Sequence, residues 1–162
     1  MKLDEKDIEI LKLLQADGRL TTAEIAERVN LSQSPCWRRI NQFEQEGLVQ
    51  KKVHLLNRDA LGIEMLVFTS INLSTNSRES LEQFEQEIIK FPEVVECHTM
   101  TGSIDYMLKI ITKSLRHFET FVRNQLTQLP NIREIHSNIS VTTIKVTTEL
   151  PLDTQLEPRA TT

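Results

Sequence analysis

The chain has 162 residues, 39% of them hydrophobic, with 19 Lys and Arg against 23 Asp and Glu for a formal charge of −4. That length holds two small domains rather than one large core. No apolar run of about 18 residues and no charged-then-apolar leader pattern occurs, so neither a membrane span nor export is expected; two cysteines exclude a disulfide scaffold, and a reducing cytoplasm is the expected setting.

The first predicted helix is signed at its start. Asp4 is placed as N-cap with Asp7 three residues on, and Leu3 staples Ile8. Ile8, Leu11 and Leu14 then share a face until Gly18 ends the helix. Leu20-Thr21-Thr22-Ala23-Glu24-Ile25 repeats the arrangement, with Thr21 as cap, Glu24 reaching back and Leu20 stapling Ile25, in a short helix that ends near Val29-Asn30. Asn30-Leu31-Ser32 makes a tight turn. Ser32 or Ser34 caps the third helix, and Pro35 fits its first turn, where a missing N–H costs nothing.

In that third helix Cys36, Ile40 and Phe43 fall on one side, while Ser34, Arg38, Asn41 and Gln42 lie on the other. Gly47 stops it. Leu48 to Leu56 reads as two short strands that put Lys51 and Lys52 on a wing. Between Arg28 and Arg58 six cations stand against Glu44 and Glu46, although residues 1–60 carry ten charges of each sign. The positive charge is therefore placed, which is what an approach to phosphate needs.

Three short helices with a tight second turn make a winged helix-turn-helix, residues 1–60, whose third helix enters the major groove of double-stranded DNA. Arg38, with Ser34, Asn41 and Gln42, is expected to read base edges; Arg39, Lys51 and Lys52 are expected to bind phosphates. Ser32, Gln33 and Trp37 complete the DNA-facing set.

A boundary falls at about residues 57–63, where Asn57-Arg58-Asp59 and Gly62 supply turn chemistry. Beyond it, residues 64–150 predict a strand from Glu64 to Leu73, a helix from Ser77 to Lys90, a hairpin from Val94 to Ile111, a helix from Ser114 to Leu129 and a strand from Ile132 to Thr147. That βαββαβ order is the ferredoxin-like arrangement, so the whole chain is α+β. The first of these helices is expected to bury Leu81, Phe84 and Ile88, and the second Leu115, Phe118, Val122 and Leu126. Large apolar groups occur on both faces of the sheet, Leu66 and Phe68 opposite Met65, Val67 and Ile71, and two helices cover one face only. The open face predicts a homodimer through sheet-to-sheet packing.

Cys97-His98 does not make a metal site, because neighbours on a strand point to opposite faces. No phosphate loop, no nucleophile with a base at usable spacing and no ligand cluster is legible, so neither a catalytic residue nor a metal or cofactor is expected. Gly102 permits a tight turn whose N–H groups suit a carboxylate, and Asp105 suits an ammonium; a plain turn glycine with an Asx-type stabiliser satisfies the same residues. Residues 151–162 are polar and aperiodic, and are expected to form a disordered tail.

Leu31-Ser32-x-Ser34-Pro35-Cys36-x-Arg38-Arg39-Ile40-x-x-Phe43-Glu44-x-x-Gly47-Leu48-Val49, after the two capped helices, resembles the DNA-binding half of the Lrp/AsnC regulators, the feast/famine proteins. Val95-x-Cys97 and Thr101-Gly102-Ser103-Ile104-Asp105-Tyr106-Met107-Leu108-Lys109 resemble their effector domain, called RAM or ACT-like. The resemblance implies a transcriptional regulator, located in the cytoplasm and associated with the nucleoid, that responds to an amino acid and assembles as a dimer and further to an octamer. It also implies an effector pocket made by Thr101, Gly102, Ser103 and Asp105 with His136, Asn138, Ile139 and Ser140 of a facing strand from a neighbouring dimer.

The effector class implied is leucine, methionine or cysteine. Pro35-Cys36-Trp37 and Ile144-Lys145-x-Thr147-Thr148-x-Leu150-Pro151 are similar to the DecR-like branch, whose effector is a sulfur-containing amino acid. The alternative to an effector-responsive regulator is a constitutive architectural DNA-binding protein.

Overall fold

The computed structural model describes residues 2–153 and 156. The chain divides into two compact units, one of residues 1–55 with 145–162 and the other of residues 56–144. No helix among the described residues is long and apolar enough to cross a membrane.

The first unit contains α1 (Glu5–Ala16), α2 (Thr22–Arg28) and α3 (Gln33–Gln45). Both expected capping boxes form: the Asp4 carboxylate accepts from the Asp7 N–H, the Thr21 hydroxyl accepts from the Glu24 N–H, and each reciprocal bond is present. Asn30 sits in the left-handed region at φ 54°, and Leu31 N donates to Ala26 O at 2.9 Å. Asn tolerates that conformation better than most residues, so it turns the chain sharply between α2 and α3. Gly47, at φ 73°, ends α3 in the same way, with Leu48 N donating to Phe43 O at 2.8 Å. The core gathers Ile8, Ile10, Ile25, Val29, Cys36 and Phe43, with Leu3 over one end.

The expected wing hairpin does not form: residues 49–56 belong to no strand, and Val53, Leu55 and Leu56 are exposed. Gln50-Lys51-Lys52-Val53-His54 contains no Gly, Asn, Asp or Pro to reverse the chain, so the backbone runs on extended.

The second unit contains β1 (Met65–Leu73), α4 (Arg78–Ile88), β2 (Val94–Thr99), β3 (Tyr106–Thr112), α5 (Leu115–Asn124) and β4 (Ile132–Ile139), in one antiparallel sheet of order β2-β3-β1-β4. Val67, Ile71, Tyr106, Leu108 and Ile110 meet Phe84, Ile88, Phe118 and Phe121 in its core. β4 stops at Ile139 rather than Thr147. Ser140 N makes the last bond, to Leu66 O at 2.8 Å, and β1 begins only at Met65, so later residues have no neighbour to pair with.

α5 also ends early, at Asn124, because Gln125 leaves helical geometry at φ −126° and ψ −62°; a single 3-10 turn, Leu126–Gln128, follows. Leu115, expected in the core, is 58% exposed, and Phe121 is buried in its place, edge-on to Phe91 at 5.5 Å. The helix is rotated so that its Phe pair, not its first Leu, faces the sheet. The tail expected over residues 151–162 lies mostly outside the described residues, but at its start Leu152 packs against the helical core, so the expectation of disorder fails there.

Phe121→Ala is therefore expected to cost about 3–5 kcal/mol of unfolding free energy, and Leu115→Ala less than about 0.5 kcal/mol. Urea denaturation of the two variants checks the contrast.

Candidate DNA-reading face and effector turn

Ser32 is the N-cap of α3 by backbone geometry, with φ −74° and ψ 155°, but its hydroxyl makes no capping bond. The first-turn N–H groups beside Ser32, Gln33 and Ser34 therefore keep the partial positive charge of a helix start. Cys36 and Phe43 are fully buried and glue the other side of the helix to the core. Trp37, Arg38, Asn41 and Gln42 line a shallow depression with Gln45 and Glu46, and Trp37 is 55% exposed. Gln42 Nε2 donates to Glu46 Oε1 at 2.8 Å. Among the described residues Arg38 has no ion-pair partner.

Arg39 is placed differently from the expectation that it meets phosphate. Its Nη1 donates to Asp4 Oδ2 at 2.8 Å and to the Asp7 carboxylate, both at the N-terminus of α1. Asp7 is buried. Burial works to raise the Asp4 carboxyl, but the Asp7 N–H and the Arg39 guanidinium outweigh it and hold the group below its ordinary value. The positive charge of Arg39 is thus answered by two carboxylates of its own unit, and the residue positions α3. Asp4 and Asp7 were legible in the sequence as a helix cap; their second task leaves no mark in the local spacing.

Lys51 and Lys52 lie exposed on the extended segment after α3, and the Lys52 side chain covers Gly18, its Cε 3.7 Å from where a Cβ would stand.

In the second unit the turn between β2 and β3 holds Thr101, Gly102 and Ser103, all exposed, with Gly102 at φ 106°. A side chain there is strained even though nothing stands within 4 Å. Met100 N donates to Asp105 O at 2.9 Å and closes the turn, and no described residue accepts from the N–H groups of Thr101, Gly102 or Ser103. These free donors can take a carboxylate.

Asp105 is held at several points: its Oδ2 accepts from Leu73 N at 2.7 Å, its Oδ1 from Asn76 Nδ2 at 3.4 Å, and its own N–H donates to Ile71 O and Asn72 Oδ1. The carboxylate therefore fixes the turn against the end of β1 whatever else it meets. Asn72 and Asn76, which do this work, were not singled out from the sequence; their partner lies 33 and 29 residues away.

His136, Asn138 and Ile139 are exposed on β4, opposite Ser70, Phe68 and Val67 of β1, and Ser140 follows directly. The turn lies beyond the other end of β1, at Ile71 to Leu73, and across β1 from β4. The three residues from Phe68 to Ile71 alone span about 10 Å. One chain does not bring the two groups together.

Cys97 is half-buried toward the core, and burial, with Glu85 nearby, pushes its thiol up; His98 is exposed and faces Glu96 at 3.3 Å. Among the described residues no group of three or more His, Cys, Asp or Glu is arranged to hold a metal.

Residues 66–150 match the family described as Lrp/AsnC ligand binding domain, and residues 3–50 match winged helix-turn-helix DNA-binding. The chain is 37% identical over 151 residues to the transcriptional regulator AzlB of Bacillus subtilis, covering 93% of this chain and 96% of the relative. It is 34% identical to the Bkd operon transcriptional regulator of Pseudomonas aeruginosa, covering 93% and 99%. Among solved structures, a transcriptional regulator from Neisseria meningitidis in complex with L-Met superposes with a TM-score of 0.90 at 36% identity, covering 95% of this chain and 99% of that one.

Because the Asp4 carboxyl is held low in the folded state, its contribution to stability is full above its ordinary value of 3.8 and disappears as pH falls through the depressed value. Thermal melts of the wild type and Asp4→Asn are expected to differ at neutral pH and to converge as pH drops below 3.8. A gap that stays constant to about pH 2 would contradict the ion pair.

Proposed function

The chain belongs to the Lrp/AsnC family of transcriptional regulators, and from that footing we propose that Ser34, Trp37, Arg38, Asn41 and Gln42 read base edges while a small amino acid held at the Gly102 turn controls how the reading helices are presented. It is a DNA-binding regulator with an amino-acid-binding domain. The observation that supports the assignment most is the division of α3, with Cys36 and Phe43 fully buried and an uncommitted Arg38 beside an exposed Trp37 on the other side. Arginine is the commonest partner of guanine, and an aromatic edge suits the thymine methyl. Lys51 and Lys52, with the first-turn N–H groups near Ser32 and Gln33, contact phosphates.

For the effector we propose the methionine class. The solved relative from Neisseria meningitidis is described as an L-Met complex, and the turn here offers the free N–H groups that an α-carboxylate needs. His136, Asn138, Ile139 and Ser140 complete the pocket from a neighbouring copy, because their own chain holds them away from the turn. Dimers form through the open sheet face, where Leu66, Phe68, Met107 and Ile111 stand among polar Lys109 and Glu96, and dimers join into an octamer around the effector. The expected boundary at residues 57–63 is corrected by the return of residues 145–153 to the first unit, so residues 1–55 with 145–153 then act as the DNA domain and 56–144 as the effector and assembly domain.

Two measurements check this. On a duplex selected from random sequence by the full chain, Arg38→Ala is expected to lose about 1–3 kcal/mol of discrimination at one base pair. Lys51→Ala is expected to weaken all duplexes alike and to lower the salt slope by about 1; equal losses on selected and random DNA for both variants would refute the division. In a thermal-shift and sedimentation screen of the amino acids, L-methionine is expected to stabilise the chain and change its assembly, and Gly102→Val to abolish both effects. No response to any amino acid at millimolar concentration would favour a constitutive architectural protein.

A further inference from the structure

The chain returns to its first unit after completing the second. Residues 145–153 belong with the helix-turn-helix, although residues 56–144 intervene. Gln15 on α1 grips Leu150 by its main chain: Nε2 donates to Leu150 O at 3.0 Å, and Oε1 accepts from Leu150 N at 2.9 Å. A carboxamide that gives and takes a bond with one residue reproduces a rung of a β-ladder. Two residues on, Leu152 packs against the helical core of the same unit. The backbone bonds and the apolar anchor are independent, and both fix the same segment.

The first unit therefore leaves the second by two covalent routes, at residues 55–56 and at residues 144–145. Neither route forms a regular element. In the second, Val141, Thr142, Thr143, Ile144, Val146, Thr147 and Thr148 are β-branched, which keeps the chain extended and stiff. A domain on one extended tether samples many orientations; closing a second tether removes most of them. For a protein that places two reading helices on one duplex, that restriction acts directly on the half-site spacing it accepts.

We propose that Leu150 to Leu152 form a latch docked on α1, which holds the DNA-binding unit by a second tether and thereby sets how strictly half-site spacing is read. The proposal rests on the DNA-reading assignment above, and the test separates the two. Full-length wild type, Gln15→Ala and Leu152→Ser are compared on three duplexes derived from one selected in vitro: a single half-site, the selected pair, and the pair with about 5 bp, half a helical turn, inserted.

The wild type is expected to favour the selected pair strongly over the spread pair. Both variants are expected to bind the single half-site as the wild type does, and their preference for correct spacing to fall at least about fivefold, since a singly tethered unit reaches more geometries. Hydrogen exchange at the Leu150 amide is read in parallel: protected in the wild type, released in Gln15→Ala. Unprotected Leu150 in the wild type, or unchanged spacing preference once it is released, overturns the latch. Wild type that fails to prefer the selected single half-site over random DNA overturns the DNA-reading assignment instead. If Leu152→Ser does not fold, Gln15→Ala, whose site is at the surface, decides alone.

Discussion

The orientation of α3, the helix proposed to read DNA, depends on a three-group contact, the Arg39 guanidinium between the carboxylates of Asp4 and Asp7. Cys36 and Phe43 bury one side of α3, but apolar contacts are tolerant of sliding and rotation, whereas a cation that bridges two acceptors is not. The same two carboxylates cap α1. Helix start, core and outer face of α3 are therefore locked through shared atoms, and Arg38, the preceding residue, is left turned to the far side with no ion-pair partner among the described residues. Two adjacent arginines meet opposite surroundings because successive positions on a helix differ by about 100°.

The effector unit shows the same economy at the Gly102 turn. Asp105 ties it to Leu73 and Asn76, so the loop keeps its shape with its outer N–H groups vacant. A turn that rigid is preorganised for an anionic group. His136 and Asn138, the residues proposed to complete it, lie across β1 from the turn in their own chain. On the proposal that a neighbouring copy completes the pocket, ligand and assembly are coupled without any long internal pathway, because a ligand that contacts both copies favours the joined state by its differential affinity.

Local signals in the sequence located the helices well: Asp4 with Asp7 and Thr21 with Glu24 mark real starts, and Asn30 and Gly47 mark real ends. The order of the second unit was equally legible, since its Pro-punctuated amphipathic segments leave few alternatives. What local pattern did not contain was anything set by a partner distant in sequence. The wing was expected from strand-forming residues without a reversing turn, and β4 was extended past the point where β1 runs out. Leu115 and Phe121 satisfy similar helical spacings, and only packing against the sheet chooses between them. Arg39 was expected on phosphate because nothing near it in sequence marks Asp4, 35 residues earlier, as its partner.

Those two arginines make the account testable at one point. If Arg39 orients α3 and does not neutralise a phosphate, Arg39→Ala will weaken binding to a selected duplex but leave the slope of log affinity against log salt concentration as it is in the wild type, because no counterion release is lost. A slope reduced by about 1 would show Arg39 on the DNA backbone and contradict the arrangement on which the reading surface depends.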